Sequence, residues 1–394
     1  MTPGARVQAA IECLDDIFAG APAEKTLTAW ARRSRFAGSK DRAAVRDHVF
    51  DVLRNRDSCI ALGGSLTGRS AMIGLCLLQG VELETILSGV GHAPSVLSDE
   101  EQALLSQTGD FSKQVENLWD MPKIWQDTLI ASHQDKALAI AQALRARAPV
   151  DLRVNIRKTT LEAAQTKLAG EGITAVPCRI SDTALRVVEG ARAVKNSQSY
   201  LDGFVELQDA GSQALVDELP LSDGMRVLDY CAGGGGKSLA MAARVRAKYF
   251  AHDKDTGRMK DIDARAKRAG VKIECLSPSA VEKQAPFDMV LCDAPCSGSG
   301  AWRRSPDAKW RSDLERLNQL TEIQSEILLK AKGLVRSGGY LAYATCSLFA
   351  EENEDQIKNF LSKLPEFDLI SQKSWTPLQN CDGFHVSVLR LMGE

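Results

Sequence analysis

Apolar residues recur at helical spacing through the first third of the chain. Val7, Ile11, Leu14 and Phe18 lie three or four positions apart, and the stretch from Val45 to Leu53 repeats the pattern. This spacing places apolar side chains along one face of a helix. We therefore expect residues 1–146 to form an all-helical domain.

The pattern changes to short alternating runs after Leu152. The runs LRVNIR and ALRVV alternate apolar and polar residues, which is typical of half-buried strands, and a helical pattern from Thr160 to Gly170 separates them. A small α+β module over residues 147–204 is the simplest prediction.

From residue 205 to 394, predicted strands alternate with predicted helices. The strand candidates are MRVLDY, KYFAHD, VKIECL, FDMVLCD and GYLAYAT; between and after them we predict helices through LAMAARV, through Ala269, from Leu314 to Val335 and from Glu351 to Ser362. Such alternation indicates a mostly parallel sheet covered on both faces, a doubly wound α/β domain of the Rossmann-like type. Ligands bind such sheets beyond the carboxyl ends of the strands.

Length and composition support a globular protein of two or three domains. The chain has 394 residues, of which 44% are hydrophobic and 25% charged. No stretch approaches the roughly 18 apolar residues of a membrane span, and the first residues lack a signal-peptide pattern. We expect a cytoplasmic protein without a membrane partner. Ten cysteines without a C-x-x-C pair, and five scattered histidines, predict no metal site.

The net charge of −2 hides a basic segment. Eight cations stand against three acids between Ala31 and Arg56, and the cluster of Arg32, Arg33 and Arg35 opens it. A nucleic acid could dock there. A solvated helical face would give the same pattern, so both interpretations stay open.

A glycine-rich segment follows the first strand of the α/β domain. Asp229-Tyr-Cys-Ala-Gly-Gly-Gly-Gly-Lys-Ser238 ends that strand and opens a helix, where a backbone without side chains lets a cofactor come close. It matches neither a Walker phosphate loop nor the G-x-G-x-x-G fingerprint. Asp253, at the end of the next strand, suits the ribose hydroxyls of an adenosine cofactor. These features alone do not separate NAD from S-adenosylmethionine.

Two cysteine-bearing turns end two further strands. Asp293-Ala-Pro-Cys-Ser-Gly-Ser-Gly300 contains Cys296, and Ala344-Thr-Cys-Ser347 contains Cys346. Carbon 5 of cytosine becomes nucleophilic when a thiolate adds to carbon 6, and a second group can assist the later loss of the carbon-5 proton. A buried filler is the ordinary role of one cysteine. Two cysteines on strand-end turns beside a candidate cofactor loop favour a catalytic role instead.

The segment from Trp302 to Arg311 follows the first of these turns and combines four cations with two indoles. Phosphate contact and base stacking are what recognition of single-stranded RNA requires. A surface loop that caps the following helix is the alternative. The candidate RNA-binding residues here are Trp302, Arg303, Arg304, Lys309 and Arg311.

Three long stretches resemble the Sun/RsmB-type family of RNA cytosine-5 methyltransferases. They are QDAGSQ from Gln208, DAPCSGSGAWRRSPDAKWR from Asp293 and YATCSLFAEENEDQI from Tyr343. The resemblance covers essentially the whole chain. It implies a NusB-like helical domain, a small RNA-binding-like module and an S-adenosylmethionine-dependent core. It also implies a small-subunit ribosomal RNA substrate, with transfer RNA, or a vestigial core in a ribosome-assembly factor, as the alternatives.

The resemblance also implies residue roles. Cys346 would attack carbon 6, Cys296 would promote product release, and Asp293 could also hydrogen-bond the flipped cytosine. The S-adenosylmethionine site would be formed by Cys231, Ala232, Gly233, Gly234, Gly235, Gly236, Lys237, Asp253 and Asp293.

The chain departs from the family pattern at two places. Glycine stands at position 234 where the family usually carries proline, which predicts a looser loop. The stretch from Leu276 to Ser279 lacks the acid that the family commonly uses on the adenine side of the cofactor.

Overall fold

The computed structural model describes residues 1–107 and 111–393 and divides into two compact units. The first contains Met1–Arg147 and a distant segment, Trp302–Ser312; the second contains Ala148–Ala301 and Asp313–Glu394. The expected boundary near residue 146 therefore has a counterpart, but residues 302–312 group with the helical part of the chain. The small α+β module and the core share one unit.

The first unit contains a succession of helices. They are α1 (Pro3–Phe18), α2 (Ala23–Arg33), α3 (Ser39–Arg54), α4 (Arg56–Gly63), α5 (Gly68–Leu78), α6 (Leu83–Ile86), α7 (Asp99–Gln107), α8 (Phe111–Val115), α9 (Lys123–His133) and α10 (Ala137–Ala143). Thr2 caps α1 by accepting a hydrogen bond from the N–H of Ala5. The apolar stripes of α1 and α3 meet in a buried core, as their spacing predicts.

No single helix in the described ranges is long and apolar enough to cross a membrane. The helices α4 and α5 pass the same test only as a pair, and that pair is bent by 97°.

A four-stranded antiparallel sheet opens the second unit. Its elements are β1 (Val150–Val154), α11 (Leu161–Gly170), β2 (Thr174–Pro177), β3 (Ala184–Glu189), α12 (Gln198–Leu201) and β4 (Val205–Leu207), with strand order β2-β3-β1-β4. One face packs on α11 through Leu152, Leu168 and Leu185. Because β4 pairs with β1, this module reaches Leu207, beyond the expected end at residue 204.

A seven-stranded sheet forms the centre of the second unit. In chain order its elements are α13 (Ala210–Asp217), β5 (Arg226–Asp229), α14 (Gly236–Arg244), β6 (Lys248–His252), α15 (Ile262–Ala269), β7 (Ile273–Leu276), α16 (Pro278–Gln284), β8 (Phe287–Asp293), α17 (Ala308–Arg311), α18 (Leu314–Lys332), β9 (Val335–Thr345), α19 (Glu354–Lys363), β10 (Phe367–Trp375) and β11 (Phe384–Leu391). The helix α17 belongs to the segment that groups with the first unit.

The strand order β10-β11-β9-β8-β5-β6-β7 confirms a doubly wound, mostly parallel sheet. The five strands β9, β8, β5, β6 and β7 are parallel, while β11 and β10 add an antiparallel edge. Successive residues of β8 point to opposite faces. Met289 and Leu291 enter one hydrophobic cluster, and Val290 and Cys292 enter the other. Both faces are therefore covered.

Two predicted helix bounds differ from the structure. The helix expected to reach Val335 ends at Lys332, because Val335 pairs with Phe287 and opens β9. The helix expected from Glu351 begins at Glu354, because Ala350–Glu352 form a short 3₁₀ turn.

Candidate active site

The glycine-rich loop joins the end of β5 to the start of α14. Gly233 and Gly235 have φ of +50° and +78°, a conformation that side chains with a Cβ rarely adopt. Gly235 is the N-cap of α14, so the first backbone N–H groups of a nine-residue helix border the loop. The loop thus has the shape and the donors of a nucleotide cofactor site.

Asp253 lies directly after β6 and is buried against this loop. Its Oδ2 accepts hydrogen bonds from the N–H of Gly233 at 2.9 Å and from Nη1 of Arg258 at 3.1 Å. Its Oδ1 accepts one from the N–H of Asp255 at 3.0 Å. Asp253 therefore shapes the loop itself, and its contact with a ribose stays a prediction.

Asp229, the last residue of β5, is a buried acid beneath the loop. Its Oδ2 accepts a hydrogen bond from the hydroxyl of Ser238 at 2.6 Å, whereas its buried Oδ1 has no hydrogen-bond partner among the described residues. Burial raises the pKa of this carboxyl to about 7. An unpaired buried oxygen suits a cationic group, such as the ammonium of a methionine moiety.

Two arginines that the sequence analysis did not single out hold the carbonyls of the loop. Nη1 of Arg153, on β1, donates to the carbonyl of Gly236 at 2.9 Å. Nη1 of Arg265, on α15, donates to the carbonyl of Gly234. Burial lowers the pKa of Arg153 to about 10. The sequence offered one signal for Arg153, because it stands among apolar residues in a predicted strand, where a charged side chain is unusual.

The two cysteine turns meet at the carboxyl ends of β8 and β9. These strands are adjacent and parallel, so Cys296, after β8, and Cys346, after β9, come within 3.4 Å between their sulfurs. The hydrogen bond from the Cys296 thiol lowers the pKa of Cys346, although burial opposes it. The same bond, together with burial, raises the pKa of Cys296 well above its usual range. The pair favours a thiolate on Cys346 and a thiol on Cys296.

Lys237 and Asp293 form an ion pair beside the cysteines. Nζ of Lys237 donates to Oδ2 of Asp293 at 2.6 Å. Burial lowers the pKa of Lys237, but the charges of Asp293 and Cys346 more than compensate, so its pKa is raised. Lys237 in turn lowers the pKa of Cys346. The lysine, expected from sequence in the cofactor loop, thus directs its charge toward the cysteines and Asp293.

The cluster of Arg32, Arg33 and Arg35 lies on the surface of the first unit. These arginines stand at the end of α2 and just after it, and the neighbouring Phe36 is 77% exposed. A cluster of cations beside an exposed ring is compatible with phosphate contact and stacking.

Residues 302–312 differ from the expectation of an exposed RNA-binding loop. Trp302, Arg303 and Lys309 are buried within the first unit, at 1%, 3% and 1% exposure. Only Arg304 and Arg311 of the five candidates are exposed. Buried side chains are not available to stack on a base or to contact a phosphate, so the expectation is corrected for these three residues.

Backbone carbonyls at the end of α3 explain this burial. Nζ of Lys309 donates to the carbonyl of Arg54 at 3.0 Å, and Nε1 of Trp310 donates to that of Leu53 at 2.8 Å. The guanidinium of Arg56 stacks on the Trp310 ring, 3.5 Å from its centroid. The two indoles and the buried cations of this segment, Arg303 and Lys309, are therefore packing groups of the helical unit.

The described ranges hold no group of three or more His, Cys, Asp or Glu side chains that could bind a metal ion.

Comparison with known proteins assigns the chain to a family. A family model described as 16S rRNA methyltransferase RsmB/F matches residues 216–390, and a model for the RsmF/B-like ferredoxin-like domain matches residues 121–194. Ribosomal RNA small subunit methyltransferase B of Vibrio vulnificus is 31% identical over 344 residues, which are 84% of this chain and 77% of that protein. The chain belongs to the RsmB/F methyltransferase family.

Other relatives agree with this assignment. The enzyme of the same name from Citrobacter koseri is 35% identical over 61% of this chain, and the alignment spans 57% of that protein's own length. The crystal structure of a methyltransferase homologue from Pyrococcus horikoshii superimposes with a TM-score of 0.60 over 75% of this chain and all of that chain, at 22% identity. This last likeness concerns the fold.

Family membership identifies the cofactor as S-adenosyl-L-methionine. The glycine-rich loop, the donors at the start of α14 and the unpaired oxygen of Asp229 fit this molecule. We expect the cofactor to lie against the backbone of the loop, with Asp229 facing its ammonium group.

Proposed function

We propose that the chain transfers a methyl group from S-adenosylmethionine to carbon 5 of a cytosine in small-subunit ribosomal RNA, with Cys346 as the nucleophile. The observation that supports this most directly is the contact between Cys296 and Cys346, 3.4 Å apart at the carboxyl ends of neighbouring strands. Methylation of an exocyclic amine would need no thiolate, because a nitrogen lone pair is already nucleophilic.

The first step is an addition. The Cys346 thiolate forms a bond to carbon 6 of the cytosine, and the electrons of the C5–C6 double bond move to carbon 5. Carbon 5 then accepts a methyl group, which S-adenosylmethionine supplies. Solvent water then takes the carbon-5 proton, and the electron pair of that C–H bond restores the C5–C6 double bond. The sulfur–carbon bond breaks with its electron pair on sulfur, which releases the Cys346 thiolate. We assign Cys296 to this last stage, because its raised pKa keeps a proton on the sulfur next to the leaving thiolate.

Lys237 and Asp293 supply charge next to the reacting sulfur. Asp293 offers carboxylate oxygens to the amino group of a flipped cytosine, whose edge carries a hydrogen-bond donor there. Lys237 stabilises the thiolate and is available to the negative charge that develops on the ring after addition. Their 2.6 Å ion pair keeps both groups in place before the RNA arrives.

Ribosomal RNA is the substrate that the family favours. The relatives from Vibrio vulnificus and Citrobacter koseri carry the name ribosomal RNA small subunit methyltransferase B. The exposed arginines 32, 33 and 35 give the helical unit a surface that suits phosphates. Bisulfite mapping of total RNA with and without the gene tests the substrate, because loss of 5-methylcytosine from transfer RNA alone would contradict it.

Separate variants of the two cysteines test the mechanism. Cys346→Ala should abolish methylation and also the covalent complex with RNA that carries 5-fluorocytosine, because the fluorine cannot leave as the proton does. Cys296→Ala should still form the bond and accumulate methylated RNA on the protein, visible as a slow band on a denaturing gel. The reverse pattern would make Cys296 the nucleophile, and normal methylation by both variants would exclude covalent catalysis.

A further inference from the structure

Glu352 is a fully buried acid beside the two cysteine turns. Its Oε1 accepts hydrogen bonds from the backbone N–H of Ser297 at 2.7 Å and from Nε2 of Gln324 at 3.0 Å. Its Oε2 accepts from the hydroxyl of Ser297 at 2.5 Å and from that of Ser347. Four donors on one carboxylate account for nearly all of its acceptor capacity.

The two serines are the residues that directly follow the cysteines. Ser297 comes after Cys296, and Ser347 comes after Cys346. One carboxylate therefore fastens both turns at the positions next to the reactive sulfurs. The hydroxyl of Ser299 adds a cross-link, because it lies 3.2 Å from that of Ser297 and 3.1 Å from that of Ser347.

The charge of this carboxylate acts on both thiols. The charges of Lys237, Asp293 and Glu352 shift the pKa of Cys346. The charges of Glu352 and Cys346 shift the pKa of Cys296. Glu352 opposes ionisation of either thiol. For Cys346 the hydrogen bond from Cys296 and the charge of Lys237 outweigh this effect, and the pKa of Cys346 falls; the pKa of Cys296 rises. Tyr343, whose hydroxyl donates to the Glu352 carbonyl at 2.6 Å, and Glu351 are the other titratable neighbours.

We propose that Glu352 is a positioning residue that holds the two sulfurs in contact and confines the negative charge of the pair to Cys346. A neutral side chain would suffice to tie the turns together. A buried carboxylate also repels a second negative charge, so Cys296 keeps its proton while Cys346 is a thiolate. The inference rests on the proposed function for the reaction in which the thiolate is used.

Glu352→Gln separates charge from geometry, because the amide has nearly the same size and the serine hydroxyls can reorient toward it. Asp355→Asn is the matched control, since it removes an exposed acid from the same region of the chain, in the first turn of α19. Alkylation of the full-length proteins by iodoacetamide between pH 6 and pH 10, located by peptide mass spectrometry, reports the order in which the thiols ionise. The rate of covalent trapping on 5-fluorocytosine RNA reports how readily the Cys346 sulfur attacks.

In the wild type and in Asp355→Asn, Cys346 should be alkylated at lower pH than Cys296. In Glu352→Gln the midpoint for Cys296 should fall by about 1 pH unit, so the order becomes less distinct. Trapping should slow by about tenfold while RNA affinity stays the same, because part of the negative charge then moves to Cys296 and less of Cys346 is the attacking thiolate. A folded Glu352→Gln protein with the wild-type alkylation order and trapping rate overturns the proposal.

Ser297→Ala and Ser347→Ala keep the proposal testable if Glu352→Gln does not fold. Each removes a hydroxyl that donates to Glu352, and each should slow trapping; wild-type rates in both overturn the positioning role. Alkylation needs neither RNA nor cofactor. If Cys346→Ala still methylates RNA, the proposed function fails while the alkylation order still decides the role of Glu352.

Discussion

At the scale of single residues, the site is characterised by buried acids whose environments differ. Asp229 has one oxygen without a partner among the described residues, while Glu352 accepts four hydrogen bonds. An unsatisfied buried oxygen is costly in the free protein and is relieved by a ligand that supplies a donor or a positive charge. We therefore propose different uses for the two acids, cofactor binding for Asp229 and positioning for Glu352.

Cofactor binding should depend on the ionisation of Asp229. Because burial raises its pKa to about 7, the free protein holds this carboxyl protonated below that pH and ionised above it. If the ionised form pairs with the cofactor ammonium, the affinity for S-adenosylmethionine should rise with pH, with a Kd about tenfold weaker at pH 6 than at pH 8. Calorimetry at the two pH values measures this.

Asp229→Asn is the control for this prediction, because it keeps the size of the side chain and removes the titration. Its affinity should be weaker than that of the wild type at pH 8 and nearly independent of pH. A wild-type affinity that stays constant from pH 6 to pH 8 would show that Asp229 does not face the ammonium group.

At the scale of elements, the glycine-rich loop is held by side chains from outside it. Gly234 stands where the family usually carries proline, and Arg265 of α15 bonds its carbonyl. Unlike Gly233 and Gly235, Gly234 has no positive φ, so its backbone conformation does not demand glycine. The arginine therefore supplies from another element a restraint that a proline would supply within the loop.

Arg265→Ala should weaken S-adenosylmethionine binding by about three- to tenfold, because the loop must then be ordered on binding. Gly234→Pro in the same protein should recover about two- to fivefold by restricting the unbound loop. A Cβ at position 234 would meet the Arg265 guanidinium at 3.3 Å, and Arg265→Ala removes that group, so the Cβ has space in this variant. Titration calorimetry measures both changes.

Arg268→Ala is the matched control for the loop. Arg268 and Arg265 lie on the same helix and both pair with Glu206, but Arg268 donates to that carboxylate at 2.6 Å and not to the loop. An equal loss of cofactor affinity in Arg268→Ala would trace the effect to Glu206 rather than to Gly234.

At the scale of the whole molecule, the helical unit contains two distant pieces of chain. Residues 302–312 leave the α/β sequence directly after the Cys296 turn and pack among the helices through Trp302, Lys309 and Trp310. The stability of the helical unit therefore depends on a segment that directly follows the Cys296 turn.

Lys309 should give this unit a characteristic dependence of stability on pH. Burial lowers its pKa to about 7, against the charges of Asp120 and Asp57, while Arg54 and Arg56 act in the same direction as burial. Between that pH and the ordinary lysine pKa of about 10.4, the unfolded chain binds a proton that the folded chain does not, so stability rises with pH. Below pH 7 both states bind it, and the full cost of burying the charge remains.

Lys309→Met should therefore be most stabilising relative to the wild type near pH 6, with the difference shrinking by on the order of 1 kcal/mol per pH unit between about pH 8 and 10. Urea unfolding followed by tryptophan fluorescence measures it, since five of the six tryptophans lie in this unit. Lys40→Met, at an exposed site, should show a constant difference. The same slope in both variants would contradict the role of burial.

RNA binding should show the contribution of the exposed arginines. Replacing Arg32, Arg33 and Arg35 by Gln should reduce the slope of log affinity against log salt concentration by about 2, if each contacts one phosphate of single-stranded RNA. Lys330, Lys358 and Lys363, replaced together, are a control of equal charge on α18 and α19. Equal slopes in the wild type and the arginine variant would favour the alternative interpretation, that the cluster is a solvated helical face.

The sequence determined the order of elements and the placement of most of the site. Period 3.6 in residues 1–146 and strand–helix alternation after residue 204 predicted the helical part and the sheet, because burial imposes these periods locally. Because neighbouring parallel strands end at the same edge of a sheet, the sequence predicts that Asp293, Cys296 and Cys346 lie close together, and the structure adds their distances.

Tertiary structure alone decided which polar and aromatic side chains are buried. A run of cations and indoles has the same sequence pattern whether it lies on a surface or inside a core. Lys309 is buried against a carbonyl that lies 255 positions away in the chain, so the local pattern does not show its partner. The same holds for Glu352, one acid among several in a short acidic stretch, whose role depends on a turn 55 positions earlier. Local pattern records which residues can share a face of an element. The partners of a buried charge are set by the packing of distant elements, and no local pattern contains them.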